Sequence, residues 1–346
     1  MGHEYSPEVV ADLQVMVAGS RDCWGLSSQT VIGLLTISEN ATFALSDVRA
    51  GRELVLRLHR VGYSSVEEIR SELAWIDALR GEGVIETLTP VPGRNGDYVQ
   101  TLQSPSGRPS RHAVAFERLP GTEPEAGVDA LRWFERLGEV SAKMHLHSKS
   151  WRLPAGFRRK RWDVEAMVGE KGYWGSWRDA LGLDRTGTVV LEQALSCIER
   201  RIARFGVGPA RFGLVHADLR LANLLVQDEH LRIIDFDDCG FSWFMYDFAA
   251  AVSFIEHEPT VPELLRVWVS GYRRVAPLSV EDCAEIPTFV VLRRILLMAW
   301  LASHSEVPIA RQLGAAHTAG TVLLAQEFLR GRFLSSAATA SRSHHV

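Results

Sequence analysis

A pair of short acidic motifs, held at a fixed spacing between apolar runs, constrains this chain more than any other feature. Residues 216–223 read His-Ala-Asp-Leu-Arg-Leu-Ala-Asn, and residues 233–237 read Ile-Ile-Asp-Phe-Asp. The flanking apolar runs are typical of strands, so each motif is predicted to lie on a loop at a strand end. A carboxylate buried in the second motif would be costly unless a cation compensated its charge. The spacing therefore predicts loops that carry functional acids.

Together the two motifs resemble the catalytic and metal-binding loops of the protein-kinase-like superfamily. The resemblance implies that Asp218 orients an acceptor hydroxyl and accepts its proton, while Asn223 and Asp235 hold Mg2+ against the phosphates of ATP. It also implies that His216 is a packed scaffold for the loop. The alternative is that the two aspartates and the asparagine are turn or cap residues, since both residue types favour such positions.

The stretch from 213 to 254 narrows the resemblance to the branch that contains aminoglycoside phosphotransferases and choline kinases. This branch includes a homoserine kinase and a bacterial stress-response protein kinase, so it implies fold and phosphate donor better than acceptor. It implies that Asp247 braces the catalytic loop and that Arg220 neutralises charge on the transferring phosphate. A helix N-terminal acid and a surface arginine are the alternatives. Asp237 could reach a metal or an acceptor amine, or bond within its own loop.

Residues 31–58 predict a small antiparallel sheet, because apolar runs alternate with polar corners. A helix is predicted after Ser65, which forms a capping-box pattern with Glu68. Arg57 lies on the sheet face opposite to the neighbouring leucines, where related kinases place a lysine on the α- and β-phosphates. Glu72 matches the helix glutamate that pairs with that cation, and a surface arginine with an exposed glutamate is the alternative. A planar arginine fork is not a point charge, so the phosphate geometry could differ.

Two further segments belong to the expected nucleotide site. The corner at Ser38 and Asn40 lies where the family has a phosphate-covering turn, although the glycine-rich pattern of protein kinases is missing. An ordinary hairpin corner is the alternative. Phe116, Glu117 and Leu119 resemble the hinge whose backbone groups bind adenine.

The resemblance implies an α+β, two-lobed protein-kinase-like fold. A small N-terminal antiparallel sheet with one main helix would precede a larger, mainly helical C-terminal lobe. The expected parts are a nucleotide-binding lobe at 1–115, a hinge at 116–121, a catalytic and acceptor-binding lobe at 122–333 and a disordered tail at 334–346. Apolar residues at helical spacing predict helices in the second lobe at 128–147, 189–204, 244–255, 263–274 and 289–303.

Composition limits the partners of this chain. With 38 basic and 42 acidic residues, its formal charge of −4 gives no overall attraction to nucleic acid or anionic lipid. The aromatic and basic stretch from Trp151 to Trp177 could grip an anionic acceptor or RNA, or could pack against helices. The longest apolar run, Ile295 to Ala302, is shorter than the roughly 20 residues that a membrane span needs. We therefore expect a soluble, cytoplasmic protein with no membrane or nucleic-acid partner.

The expected activity is an ATP- and Mg2+-dependent transfer of the γ-phosphate to a hydroxyl of a small molecule, either an antibiotic or an amino-alcohol or nucleoside-like metabolite. A serine/threonine protein kinase of the stress-response type is an alternative. It is less favoured because residues 240–245 are too few for an Ala-Pro-Glu activation segment. A nucleotide-binding module without catalysis is a second alternative, because Arg57 replaces the usual lysine.

Overall fold

The chain forms two compact units in the computed structural model. The model describes residues 6–37, 40–124, 127, 129–305 and 307–335. The first unit comprises residues up to 121 together with 153–159, and the second comprises 122–152 and the residues from 160 onward. The segment 153–159 thus belongs to the first unit, although the sequence suggested one boundary after 121. An antiparallel sheet in the first unit and a mainly helical second unit confirm the predicted α+β class.

An antiparallel sheet forms the centre of the first unit. The elements of this unit are α1 (Pro7–Gly19), β1 (Val31–Ile37), β2 (Ala41–Asp47), β3 (Arg52–Leu58), α2 (Val66–Gly81), β4 (Glu86–Thr87), β5 (Pro90–Val91), β6 (Gln100–Leu102) and β7 (Arg111–Glu117). The strand order of the sheet is β1-β2-β3-β7-β5, with β6 also paired to β7. Three alternating leucines of β3, Leu54, Leu56 and Leu58, are fully buried, as the strand pattern predicted. Leu13 and Val17 of α1, a helix that the sequence did not reveal, join the same core.

Helix α2 begins where its capping pattern predicted. The Ser65 Oγ accepts a hydrogen bond from the Glu68 N–H at 3.2 Å, and Glu68 Oε2 accepts one from the Ser65 N–H at 2.8 Å. The buried face of α2 includes Ile69 and Leu73, and it also includes Glu72. A carboxylate on this face requires a buried partner.

Helices make up most of the second unit. Its elements are α3 (Ala130–Ser150), β8 (Lys160–Arg161), α4 (Val164–Val168), α5 (Arg185–Phe205), β9 (Phe212–Val215), β10 (Leu224–Gln227), β11 (His230–Ile233), β12 (Gly240–Trp243), α6 (Tyr246–Ala251), α7 (Val261–Val275), α8 (Val280–Ser303) and α9 (Pro308–Leu329). A small sheet in the order β8-β12-β9 and a β10–β11 hairpin hold its loops. Helices α3 and α7 approach closely at two glycines, since a Cβ on Gly138 would lie 2.1 Å from the Trp268 carbonyl oxygen and one on Gly271 would lie 1.9 Å from that of Glu135.

Among the helices that the sequence predicted, α8 differs most from its predicted bounds, because it begins at Val280 rather than at 289. By length and composition it could cross a membrane, but most of its apolar window is buried inside the structure, which is typical of the core helix of a soluble protein. Arg293 and Arg294 interrupt its apolar run in the sequence, yet both are only 2% exposed. The predicted helix at 244–255 is shorter, and residues 336–346 of the expected tail lie outside the described residues.

Candidate active site

Asp218 lies in the loop between β9 and β10, and three side chains hold its carboxylate. Oδ1 accepts hydrogen bonds from Arg293 Nη2 at 2.8 Å and from Arg220 Nε at 3.1 Å. Oδ2 accepts one from Asn223 Nδ2 at 2.7 Å, and Arg220 Nε lies 3.2 Å from it. Asp218 is itself only 8% exposed. The carboxylate therefore has a fixed orientation, which a catalytic base requires.

The backbone before Asp218 is strained, and Asp247 holds it in place. Ala217 adopts a left-handed conformation with φ of 67°, which non-glycine residues rarely do. The Ala217 N–H donates to Asp247 Oδ1 at 2.8 Å, and the His216 N–H donates to Oδ2 at 3.3 Å. Asp247 is fully buried at the start of α6. These are the bracing contacts that the resemblance implied for Asp247.

A buried histidine completes this brace. His145 of α3 places Nε2 at 2.9 Å from Asp247 Oδ2 and Nδ1 at 3.1 Å from the Tyr272 hydroxyl. Burial lowers the pKa of His145, although the Asp247 carboxylate opposes this. A neutral ring can donate from Nε2 to the carboxylate and accept at Nδ1 from the hydroxyl. The catalytic loop is thus fastened to α6 through Asp247 and, through His145 and Tyr272, to α3 and α7.

His216 ties the two motifs together. Its Nδ1 accepts the Asp218 N–H at 3.2 Å, and its Nε2 lies 3.1 Å from the Ile234 carbonyl oxygen in the second motif. Its ring packs 4.4 Å from that of Phe236. These contacts occupy both ring nitrogens, which agrees with the scaffold role that was expected of His216.

Asn223 and Asp235 provide hard oxygen ligands suited to Mg2+ or Ca2+. The Asn223 amide donates to the Asp218 carbonyl oxygen at 2.8 Å as well as to its carboxylate, and its Oδ1 accepts no hydrogen bond within the described part of the chain. Asp235 is half-buried, not fully buried as the sequence suggested, and has a left-handed φ of 62°. No cluster of three His, Cys, Asp or Glu side chains that could hold a metal occurs among the described residues. The pair therefore fits a cation that phosphate oxygens also bind.

Two arginines surround Asp218, and the sequence identified one of them. Arg220, whose side chain is 32% exposed, contacts the carboxylate and also lies 5.9 Å from the centre of the Phe254 ring. The Asp218 carboxylate raises the pKa of Arg220. Sequence reasoning missed Arg293, although an arginine within an apolar helix is a signal that could have found it.

The aromatic and basic stretch mainly packs within the second unit. Trp162, Trp174 and Trp177 are at most 5% exposed, which favours the packing interpretation over RNA binding. Lys160 Nζ bonds Asp238 Oδ1 at 3.1 Å.

Asp237, proposed from the sequence as a metal or amine contact, is 8% exposed. It follows the half-buried Asp235 by two residues in the second motif. Its contact with a metal or an acceptor amine stays a prediction.

Arg57 and Glu72 form a buried ion pair in the first unit. The arginine is 5% exposed and the glutamate 1%, so the surface alternative is wrong. Arg57 pairs with Thr42 and Val114 on the neighbouring strands, and its guanidinium lies 5.5 Å from the centre of the Phe116 ring. The strand and α2 therefore fix one cation in place.

The expected phosphate-covering corner is only partly described. Ser38 lies outside the described residues. The Asn40 Oδ1 accepts the Arg60 N–H at 3.1 Å, so this side chain supports the corner itself. Its contact with phosphate stays a prediction.

The backbone N–H groups of the hinge segment differ in their hydrogen bonds. The Glu117 N–H donates to the Thr89 carbonyl oxygen at 2.9 Å, and the Arg118 N–H donates to that of Glu53 at 3.0 Å. The Leu119 N–H, by contrast, donates to no acceptor within the part of the chain that the structure describes. The Phe116 side chain, at the start of this segment, is buried. One backbone donor at the end of β7 is therefore available to a ligand.

Comparisons with known proteins show which proteins this chain is similar to. The model of a family described as the phosphotransferase enzyme family matches residues 34–278. A microcompartment-associated aminopropanol kinase of known structure is 40% identical, with a TM-score of 0.85 over 93% of this chain and 99% of that one. The amicoumacin kinase of Bacillus subtilis (strain 168) is 26% identical over 289 residues, 79% of this chain and 80% of that protein.

A further solved structure extends the comparison of folds. An amicoumacin kinase in complex with AMP-PNP, Ca2+ and Ami has a TM-score of 0.74 at 22% identity, over 95% of this chain and 97% of that one. At this identity the likeness concerns the fold alone.

Proposed function

This chain belongs to the phosphotransferase enzyme family, and from that premise we propose that its acceptor is a short amino alcohol. The reaction is an ATP-dependent transfer of a phosphoryl group to a hydroxyl of a small molecule. The observation that carries the proposal is the oriented Asp218 carboxylate in a chain 40% identical to an aminopropanol kinase over 93% of its length. An amicoumacin-like antibiotic is the second candidate, because that kinase is 26% identical over 79% of the chain.

Asp218 orients the acceptor hydroxyl and takes its proton as the oxygen attacks the γ-phosphorus. The bond from the γ-phosphorus to the β,γ-bridging oxygen breaks, and its electron pair leaves with ADP. The exposed Arg220 fork neutralises charge on the transferring group. Asn223 and Asp235 would hold Mg2+, which supplies further charge neutralisation on the phosphates when it is bound.

The donor is held by residues of the first unit. Arg57, fixed by Glu72, contacts the α- and β-phosphates as a rigid cation. The backbone N–H of Leu119 binds a ring nitrogen of adenine. In this proposal residues 1–115 form the nucleotide-binding lobe, 116–121 the hinge and 122–333 the catalytic and acceptor-binding lobe.

The acceptor carries an ammonium group, which needs a carboxylate. We assign this contact to Asp237, which is 8% exposed and follows Asp235 by two residues, as the sequence suggested. We place the reaction in the cytoplasm, where ATP is available. Neither a protein acceptor nor a nucleic-acid partner is part of the proposal.

The test is ADP release from MgATP with aminopropanol, ethanolamine, choline, amicoumacin and a mixed protein substrate as acceptors. We expect the highest kcat/KM with aminopropanol or ethanolamine, and its loss in Asp218→Asn. Faster turnover of amicoumacin would support the second candidate. Labelling of the protein mixture alone would overturn both small-molecule proposals.

A further inference from the structure

The guanidinium of Arg293 is fixed on every side. Nε donates to Ser253 Oγ at 3.2 Å, Nη1 to the Tyr246 hydroxyl at 3.1 Å and Nη2 to Asp218 Oδ1 at 2.8 Å. The Trp174 ring centre lies 5.3 Å from the guanidinium carbon. With 2% of the residue exposed, water does not compete for these bonds. The fixed guanidinium thus gives Oδ1 of Asp218 one immobile partner, beside its bonds to Arg220 and the bond of Asn223 to Oδ2.

Arg293 keeps its charge in this setting. Burial opposes the charged form, but Tyr246 and Asp218 outweigh it and raise the pKa of Arg293 above its ordinary value. The other arginine at Asp218 differs, since Arg220 contacts both oxygens through Nε alone and is partly exposed. An acceptor hydroxyl that approaches the carboxylate can displace Arg220, whereas Arg293 stays.

We propose that Arg293 is a positioning residue that orients Asp218 towards the acceptor hydroxyl and repels the acceptor's ammonium group from the same carboxylate. The inference rests on the proposed function, because the ammonium belongs to an amino alcohol. A bare carboxylate attracts an ammonium more strongly than a neutral hydroxyl, since charge-assisted hydrogen bonds are the stronger ones. An ammonium group bound at Asp218 would keep the acceptor hydroxyl away from the base, so this complex could not react. A fixed positive charge beside Oδ1 leaves the hydroxyl as the favoured partner.

Two substitutions separate orientation from charge. Arg293→Lys keeps the charge but loses the planar fork, and Arg293→Gln keeps a hydrogen-bond donor but loses the charge. The matched control is Arg294→Gln, because Arg294 is also 2% exposed and forms a buried ion pair, but with Glu256. The probes are aminopropanol as acceptor and propylammonium, which lacks the hydroxyl, as a competitive inhibitor.

We expect Arg293→Lys to lower kcat by about 10- to 100-fold through misplacement of the base, with an unchanged KM for MgATP. Inhibition by propylammonium should stay as in the wild type. Arg293→Gln should lower kcat similarly and bind propylammonium about 10-fold more tightly, because a repulsive charge is gone. Arg294→Gln should lower the melting temperature while leaving kcat and this inhibition unchanged.

A folded Arg293→Gln with wild-type kcat and wild-type inhibition would overturn the inference. So would an equal loss of kcat in Arg294→Gln, because the effect would then follow from general destabilisation. If both Arg293 variants fail to fold, Tyr246→Phe removes one bond from the fork and should lower kcat about threefold, in line with the loss of one hydrogen bond. An unchanged kcat in Tyr246→Phe would then overturn the proposal.

Slow ADP release with water as acceptor distinguishes this inference from the proposed function. If no amino alcohol accelerates ADP release by the wild type, the proposed acceptor is wrong. The water-dependent rate still reports the orientation of Asp218 in each variant. A loss of that rate in Arg293→Lys, but not in Arg294→Gln, would support the positioning role by itself.

Discussion

Two buried arginine–carboxylate pairs, Arg57–Glu72 in the first unit and Arg293–Asp218 in the second, are built in opposite ways. In the first unit Glu72, 1% exposed, holds Arg57 between the sheet and a helix. In the second unit Arg293, 2% exposed, holds Asp218 and is itself bonded to two hydroxyls. The carboxylate positions the arginine in one pair, and the arginine positions the carboxylate in the other.

In each pair, the member that is held by its partner is the one that performs the chemistry. A cation that binds phosphates needs a partner that fixes its place, and the buried Glu72 pairs with Arg57 in this way. A base needs a partner that fixes its direction but leaves one approach open. We expect this approach on the side of Arg220, whose side chain is 32% exposed. Loss of Glu72 should therefore weaken donor binding in the first unit, whereas loss of Arg293 should lower turnover in the second.

The largest effect is expected for Asp218→Asn, which removes the base but keeps an oxygen for Arg293. We expect kcat to fall by about 10²- to 10⁴-fold, since general-base catalysis contributes about that much. The KM for MgATP should change little. Steady-state kinetics and nucleotide titration measure both. Asp218→Ala is a poorer choice, because it leaves a buried arginine without its countercharge. Wild-type turnover in Asp218→Asn would contradict the assignment of the base.

The second effect is expected for Glu72→Gln, which leaves Arg57 buried without a carboxylate. We expect the free energy of unfolding to fall by about 3–5 kcal/mol. The KM for MgATP should rise more than kcat falls, because the cation loses its fixed place. Urea denaturation and kinetics test this. Glu53→Gln is the matched control, since its ion pair with Arg118 is exposed and should contribute less than about 1 kcal/mol. Equal destabilisation by both variants would refute the comparison.

The Arg57 pair was predictable from sequence because both residues lie in local patterns. Strand alternation placed Arg57 on a sheet face, and helical spacing placed Glu72 beside the buried face of α2. Asp218, Asn223 and Asp235 were predictable for a similar reason, since one contiguous stretch carries both motifs. Short-range patterns thus identified the sheet and most of the site.

Arg293 was not predictable in the same way. It lies 75 residues from Asp218 in the sequence, and only the packing of α8 brings the two together. Its signal, an arginine in an apolar run, shows burial and the need for a partner but not which partner. The missed helix α9 has another cause, because Gly314 interrupts its helical backbone and weakens its pattern.

A smaller effect is expected for Arg57→Lys, which installs the residue that related kinases carry. The charge stays beside Glu72, so we expect a change of at most about 10-fold in the KM for MgATP, equivalent to about 1.4 kcal/mol. The kcat should stay near that of the wild type. Steady-state kinetics at saturating acceptor measures both constants. Arg293→Lys is the same substitution in the second unit. It should lower turnover, whereas Arg57→Lys should change donor binding. A kcat loss of 10-fold or more in Arg57→Lys would contradict this prediction.

The smallest effect concerns the acid sensitivity of the second unit, which contains Asp218. Burial, followed by the nearby Arg294, lowers the pKa of His317 to about 3. Its value in the unfolded chain is higher, about 6.5, so the unfolded state takes up a proton first as the pH falls. The stability that His317 contributes is thus fully present above about pH 6.5 and is lost towards pH 3. Between pH 7 and pH 6 this loss amounts to about 0.7 kcal/mol.

His317→Phe should remove that part of the pH dependence, as measured by urea denaturation at pH 7 and pH 6. The comparison uses the change between the two pH values, so a constant loss of packing in the variant cancels. Arg57→Lys serves as the control, because it alters the pair in the first unit and should keep the wild-type difference. If His317→Phe showed the same difference as the wild type, a titrating group elsewhere would account for the acid sensitivity. The buried His317 would then not account for any difference in acid sensitivity between the two units.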